Sequence, residues 1–168
     1  VHKKFHKGIL KRKLFSEHLF SKNGDDFKFR FNPVIHLEKG LEKEENKETS
    51  VNTRGFILEG NVGKNIFFFS SFVENQSIFS NYIHEYVYKK RVVPGQGYVK
   101  EFKGTGFDYA MSSGHLAIKP AKQFVILFGH GKHFIGDGYR SLLLSDNAFN
   151  YPFLRIQTTF WKVKYTNL

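Results

Sequence analysis

The residues best suited to chemistry lie in one segment, "FVILFGHGKHFIGDGYRS", which covers residues 124–141. An apolar run there enters a glycine-rich loop that contains a lysine, two histidines, an aspartate and an arginine. A phosphate-binding loop needs a glycine five residues before its Gly-Lys pair and a hydroxyl after the lysine. Ile126 and His133 occupy those two positions. The dinucleotide pattern G-x-G-x-x-G fails at Phe134, so the segment does not predict a nucleotide site.

Two other chemistries use the same residue types. Ser141 or Ser145 could act as a nucleophile with His130 or His133 as its base, but the sequence has no G-x-S-x-G elbow. The two histidines and Asp137 could instead bind a metal ion. Histidines that only form hydrogen bonds at a loop rim are the more frequent arrangement. We therefore predict no catalytic residue, no metal and no cofactor.

Composition restricts the possible partners. The chain has 168 residues, a formal net charge of +11, 20 phenylalanines, eight tyrosines and no cysteine. The charge fits an anionic partner such as nucleic acid, acidic polysaccharide or a phosphorylated lipid surface, although six basic residues fall within the first 13. Aromatic residues favour strands and must be buried in a core, a partner or lipid. No window reaches the roughly 20 apolar residues of a membrane helix.

Alternating patterns predict the strands that position this segment. Residues 27–31 alternate phenylalanine with lysine and arginine, which is strand periodicity. Two hairpins are predicted, one with its turn at 63–65 and one with its turn near 120–122. Residues 154–168 also alternate and are predicted to form a single strand.

The remaining segments are predicted connections. Residues 1–22 form a basic leader with a possible short helix, and residues 39–52 form a charged loop or hairpin tip. Residues 78–106 have no clean period and are expected to be a long excursion. Residues 131–153 form a glycine-containing loop in which 141–147 could make a short helical turn.

These elements predict an all-β fold, an antiparallel meander of long strands. Segments of about 9 to 11 residues are long enough to cross a bilayer as tilted strands, with short turns at one end and long loops at the other. We therefore expect part of a transmembrane β-barrel, with a soluble basic sandwich or barrel as the alternative. Both ends of the sequence are typical of a fragment, so residues 1–168 are expected to be one partial domain of a longer chain. Residues 65–73 carry phenylalanine on both faces, so this strand is expected to pack on both sides.

The stretch "FGHGKHFIGDGYRSLLLSDNAFNYPFLRIQ" resembles the signature segment of the Wzi-type capsule-assembly outer-membrane barrels. It is closer still to the gliding-motility outer-membrane proteins of the RemB type in Bacteroidetes. The likeness covers roughly residues 50–168. In both groups a strand ending in glycine leads into a Gly-x-Gly loop, a leucine-rich run and an aromatic-Pro-x-Leu start of the next strand. The matching positions here are Gly129, Gly136, Gly138, Ser141, Leu142, Leu143, Leu144, Ser145, Asn147, Ala148, Pro152 and Leu154.

The resemblance implies a non-enzymatic protein of the cell outer membrane. Its implied partners are outer-membrane lipid, surface polysaccharide and proteins of the gliding or secretion machinery, with no nucleic acid. The implied role is gliding motility or the assembly and attachment of capsular polysaccharide. Such barrels are far longer than this chain. The sequence leaves open a soluble basic β-protein that binds an anionic polymer, either polysaccharide or nucleic acid, and a Ser/His hydrolase.

Two groups of residues are predicted to matter in the loop. The candidate polysaccharide ligands are polar residues of the loop: Lys132, Asp137, Arg140 and Asn147. The candidate structural residues permit tight backbone or fix the loop: Gly129, Gly136, Gly138, Ser141, Leu143, Ser145 and Pro152. Fixing of the loop is favoured over ligand contact, because buried polar groups must first satisfy one another.

Overall fold

The computed structural model describes residues 8, 11–13, 16–136 and 143–168 of the chain. Its named elements are ten strands and one helix: β1 (Phe20–Asn23), β2 (Phe27–Glu42), β3 (Lys47–Val62), β4 (Ile66–Ile78), α1 (Asn81–Lys90), β5 (Val92–Val93), β6 (Gly97–Phe102), β7 (Gly106–Ala121), β8 (Phe124–Gly131), β9 (Tyr151–Phe160) and β10 (Val163–Asn167). In the predicted leader, residues 11–13 are helical. Residues 16–19 of the predicted leader are not helical and residues 20–22 belong to β1, which corrects the prediction there, whereas residues 1–7, 9–10 and 14–15 lie outside the described residues.

The strands form one antiparallel meander, as predicted. Their order is β1-β2-β3-β4-β7-β8-β9-β10, and every neighbouring pair is antiparallel. β6 pairs with the first residues of β7, from Gly106 to Tyr109, on the same side as β8. β1 and β10 lie at the two edges, so the sheet is open in the described part of the chain.

The two ends of the sheet differ in their connections. One end, called here the short-turn end, carries the turns 24–26, 63–65, 122–123 and 161–162. The other, the long-connection end, carries the tip 43–46 and the connections 79–105 and 132–150. The prediction of short turns on one side is confirmed. On the other side two connections are long, as predicted, and the third, 43–46, is a short turn.

Several strands are longer than expected. β2, β3 and β7 have 16 residues each, where about 9 to 11 were predicted. The charged segment 39–52 was predicted as a loop or hairpin tip. A hairpin tip is found at 43–46, but the rest of the segment is strand. Its charges are compatible with pairing because Glu42 faces Lys47 across the ladder, and opposite charges in facing positions stabilise a sheet.

Residues 154–168 do not form the single strand that was predicted. β9 ends at Phe160, the chain turns at 161–162, and β10 pairs back on β9. The sequence has neither glycine nor asparagine at this turn. Trp161 itself adopts φ 51, a left-handed conformation that bulky residues rarely take. Because bulky residues disfavour this conformation and no turn-forming residue is present, the local sequence did not predict the hairpin.

The unpredicted helix α1 carries the main buried core. Phe79, Ile83 and Val87 recur every fourth residue and pack together with Phe107 and Tyr109 of β7. Val87 and Phe107 are 0% and 1% exposed. The helix ends where the Arg91 N–H donates to the Val87 carbonyl at 2.8 Å with Arg91 at φ 59, a left-handed helix end.

The helical turn predicted within 141–147 is not found in the part that the structure describes. Residues 143–147 contain a turn at 146–147 and no helix. The Ala148 N–H donates to the Ser145 carbonyl at 3.4 Å. Residues 141 and 142 lie outside the described residues.

Candidate functional site

The register of the ladders divides the sheet into two unlike faces. Residues that face each other across a ladder point their side chains to the same side, and successive residues alternate. One face carries Phe29, Phe68 and Leu154 and is called here the apolar face. The other face carries Arg30, Glu59 and the residues in register with them, and is called the polar face. The faces are built from the same strands.

The apolar face consists of cross-strand rows of hydrophobic residues. One row crosses six strands as Phe27, Val62, Ile66, Ile118, Ile126 and Ile156. The next row contains Phe29, Gly60, Phe68, Leu116, Phe128 and Leu154. Neither row contains a charged residue.

Much of this face is uncovered. Ile35 is 74% exposed, Phe128 66% and Leu154 55%. Neighbouring aromatic rings contact one another across the strands, with centroids 5.9 Å apart for Phe31 and Phe56 and 6.2 Å for Phe56 and Phe72. Exposed apolar surfaces of this extent are uncommon in monomeric globular proteins.

The apolar face ends towards the long-connection end in polar residues. Arg54 and Glu74 face each other there and form an ion pair at 3.2 Å. The limit is oblique to the strands. On β2 the last residue of the apolar face is Leu37. On β9 it is Leu154, which lies in the same cross-strand row as Phe29 of β2.

The polar face is a ladder of hydrogen bonds and mixed side chains. Arg30 and Glu59 lie 3.2 Å apart. Further contacts link side chains of neighbouring strands: Thr53 to Asn75 at 2.6 Å, Ser71 to Ser113 at 2.8 Å and Ser77 to Tyr109 at 3.1 Å. Helix α1 packs on this same face, because Phe107 and Tyr109 belong to it.

The two-faced phenylalanine pattern of residues 65–73 is explained by this division. Phe68 and Phe72 lie on the apolar face, while Phe67 and Phe69 lie on the polar face. The Phe69 ring stacks on His115, with centroids 5.5 Å apart. Phe67 is 45% exposed, so the expected packing on the polar side applies to Phe69 more than to Phe67.

Lys132, a predicted ligand residue, holds two long connections together. Its ammonium group donates to the Asp146 carbonyl at 2.9 Å and to the Gly95 carbonyl. This contact joins the 79–105 connection to the 132–150 connection. Asn147 is exposed, and its backbone N–H donates to the Ser145 hydroxyl oxygen at 3.2 Å. These contacts agree with the interpretation that Lys132 and Ser145 hold the loop in place.

His133 packs back onto β9. Its Nδ1 lies 3.0 Å from the Tyr151 hydroxyl, and its ring meets Phe153 edge-on at a centroid distance of 4.3 Å. Burial, followed by the positive charge of Arg155, lowers the pKa of His133 below its ordinary value. Among the described residues, Ser145 forms no hydrogen bond with His130 or His133, so the serine–histidine alternative gains no support.

The predicted structural residues have different environments. A Cβ on Gly129 would clash with the Gly114 carbonyl oxygen, and Gly136 has φ 133, so both positions favour glycine. Pro152 lies in a part of β9 that pairs only with β8, where a missing N–H is tolerated. Leu143 was expected to anchor the loop but is 73% exposed. The predicted residues Asp137, Gly138, Arg140 and Ser141 lie outside the described residues.

A depression beside the long-connection end was not predicted from the sequence. The Tyr98 and Phe149 rings stack at its wall with centroids 6.2 Å apart. Glu74, Asp108 and His130 also line it, and the Asp108 Oδ1 is buried without a hydrogen-bond partner. We call it the rim depression. Its aromatic residues come from 79–105 and 132–150, which are far apart in sequence, so only the tertiary contact between these connections reveals it.

Two findings bear on other kinds of site. Within residues 16–136 and 143–168, no three His, Asp or Glu side chains converge as a metal site would require, and Asp137 is not among these residues. None of the described helices has the length and apolar character to cross a membrane.

No family model, curated protein or solved structure matches the chain. The likeness to the RemB-type and Wzi-type barrels therefore stays a prediction from the sequence.

Proposed function

We propose that this protein is a non-enzymatic outer-membrane β-barrel protein that acts at the cell surface, in gliding motility or in the assembly and attachment of capsular polysaccharide. The apolar face is the observation that carries this proposal. Its exposed hydrophobic rows, such as the row of Phe128 and Leu154, have no partner among the described residues. Lipid is a partner of matching chemistry and extent.

The dimensions of the apolar face support a bilayer as that partner. On β2 the apolar positions run from Phe27 to Leu37. Ten steps of about 3.3 Å, tilted by about 40°, span roughly 25 Å. On β2, the strand with the longest apolar run, this matches the height of the apolar band of outer-membrane barrels. The run on β9, from Leu154 to Phe160, is shorter.

The oblique limit of the apolar face also fits tilted strands. A membrane plane that crosses tilted strands meets each neighbour at a shifted position, by about one residue per strand. From β2 to β9, which are six strands and five steps, the limit shifts by eight residues, from Leu37 to the row of Phe29. This shift has the same order of magnitude as the one that tilted strands require. A soluble sandwich has no such requirement.

In this proposal the polar face lines the inside of the barrel. The Arg30–Glu59 pair and the Ser71–Ser113 contact would then face water or an internal element. Helix α1 would cover the polar face near the long-connection end. The open edges at β1 and β10 must also acquire strand partners, because unpaired backbone groups are not tolerated in lipid.

The rim depression supports the polysaccharide part of the proposal. It lies beyond the apolar face, where a membrane barrel meets the aqueous phase. The Tyr98 and Phe149 rings offer flat surfaces to the C–H groups of a sugar, and Glu74 and Asp108 offer acceptors to its hydroxyls. Tyr98 is 82% exposed, so its ring is available to a ligand.

The membrane part is tested by the solvent that the folded protein requires. The full chain should give a β-sheet spectrum and protease resistance in detergent micelles or lipid vesicles, and should aggregate in plain buffer. A monodisperse folded monomer in plain buffer would remove this proposal.

The surface role is tested by deleting the gene in the bacterium that carries it. Spreading on agar and the amount of surface-bound capsule are then measured. Re-expression with Tyr98→Ala and Phe149→Ala should restore the protein level but not the affected phenotype. The matched control is Tyr82→Ala, a similarly exposed tyrosine on α1, which should restore both.

A soluble basic β-protein that binds an anionic polymer is the second candidate. The net charge of +11 favours it. It predicts salt-sensitive retention on heparin or nucleic acid by a monomer in plain buffer. It does not account for the uncovered rows of the apolar face.

A further inference from the structure

The two ends of the sheet carry different charge. In the short turns and within three residues of them lie seven lysines and two aspartates: Lys22, Lys28, Lys64, Lys119, Lys122, Lys162, Lys164, Asp25 and Asp26. In the connections of the long-connection end and within three residues of them, the described residues include eight basic and eight acidic residues. The strong positive charge is therefore concentrated at the short-turn end of the sheet.

Three of the lysine-bearing turns lie side by side. The Lys119 N–H donates to the Asn65 carbonyl at 2.8 Å, which joins the 63–65 turn to the end of β7. The Thr159 N–H donates to the Gln123 carbonyl at 2.8 Å, which joins the 122–123 turn to β9. These consecutive turns thus bring Lys64, Lys122 and Lys162 to the short-turn end of the sheet.

Exposed aromatic residues lie at the same short-turn end. Phe160 is 77% exposed, Trp161 83% and Tyr165 61%. Phe160 and Tyr165 belong to the apolar face. The Lys162 ammonium group lies 5.3 Å from the centre of the Trp161 ring. Aromatic rings and lysines next to an apolar surface are typical of a membrane–water interface.

We propose that the short-turn end is a binding surface for the headgroups of anionic phospholipids. The turn lysines lie at the lipid phosphates, and Trp161 and Tyr165 lie at the boundary between headgroups and acyl chains. Nucleic acid is a poorer fit, because the aromatic residues continue directly into the rows of the apolar face. The inference rests on the proposed membrane location. It adds that the short-turn end of the sheet contacts an anionic leaflet.

The experiment compares full-length protein on vesicles of phosphatidylcholine with vesicles that also contain phosphatidylglycerol. Trp161 is the single tryptophan of the chain, so its fluorescence reports on this end. Replacing Lys64, Lys122 and Lys162 by Gln should weaken binding to the anionic vesicles about 100-fold at low salt. Binding to neutral vesicles should stay unchanged. A quencher placed near the lipid headgroups should quench Trp161 fluorescence more strongly than one placed deep in the acyl chains.

The matched control replaces Lys43, Lys89 and Lys103 by Gln at the long-connection end, where the affinity should change little. Equal losses in the two triple variants would overturn the inference, as would equal binding of the natural protein to both kinds of vesicle. Lysine-dependent binding to duplex DNA that anionic vesicles do not displace would also overturn it. Protease resistance of the strands in neutral vesicles tests the membrane location separately, so its loss identifies a failure of the proposed function itself.

Discussion

The two faces of the sheet come from the same strands but require different surroundings. On β9, Leu154 belongs to the apolar face and is 55% exposed, whereas Arg155, its neighbour in sequence, belongs to the polar face. On the polar face, several side chains contact those of neighbouring strands or lie under helix α1. On the apolar face, long rows of hydrophobic residues lack a partner. The comparison teaches that, within the described residues, only the polar face is covered by another element of the chain.

The largest expected effect concerns the part of the polar face that α1 covers. Phe107→Ala should lower the free energy of unfolding by about 3–5 kcal/mol, because Phe107 is fully buried beneath the helix. Phe67→Ala on the same face should cost less than about 1 kcal/mol, since Phe67 is 45% exposed. Urea titrations in detergent measure both. Similar losses for the two variants would show that the core is not where α1 places it.

The second prediction compares the faces directly within β9. Ile156→Arg, inside the apolar face between Leu154 and Phe160, should destabilise the protein in lipid vesicles by about 2–4 kcal/mol, because a charge on the lipid side loses its hydration. Gln157→Arg, on the polar face, should cost less than about 1 kcal/mol. Unfolding is followed by Trp161 fluorescence. If both substitutions are equally mild, the apolar face does not contact lipid.

The third prediction tests close packing between β7 and β8. Gly129→Ala should destabilise by about 1–3 kcal/mol, because its methyl group would meet the Gly114 carbonyl oxygen. Gly131→Ala serves as the control, since the nearest atom to its methyl group, in the Phe153 ring, lies 3.7 Å away. The denaturation midpoints of the two variants should therefore differ. A tolerated Gly129→Ala would contradict the register of these strands.

The smallest effect concerns pH and the loop that follows β8. Because the pKa of His133 is lowered in the folded protein, the unfolded chain takes up this proton first. The stability contribution is complete above about pH 6.5 and declines as the pH falls below that value. Urea midpoints measured across this range should fall less in His133→Gln than in the natural protein. An identical pH dependence of the midpoint in His133→Gln and in the natural protein would contradict the packing of this loop.

The sequence predicted much of the sheet and little of the candidate sites. The hairpin turns at 63–65 and near 120–122 were readable because glycine and proline mark them. Helix α1 was missed, although the spacing of Phe79, Ile83 and Val87 is a helical signal, because aromatic and β-branched neighbours obscured it. The rim depression was not readable at all, since Tyr98 and Phe149 meet only after both long connections have folded.

The sequence by itself determined the alternation that makes one face apolar and the other polar, because side chains of a strand alternate whatever its neighbours are. It also determined the excess of positive charge and the short turns. Only the tertiary structure decided which residues share a row, that Trp161 turns the chain back, and that Lys132 joins two distant connections. Register and contacts between loops depend on packing across the whole sheet, and no local pattern of residues encodes them.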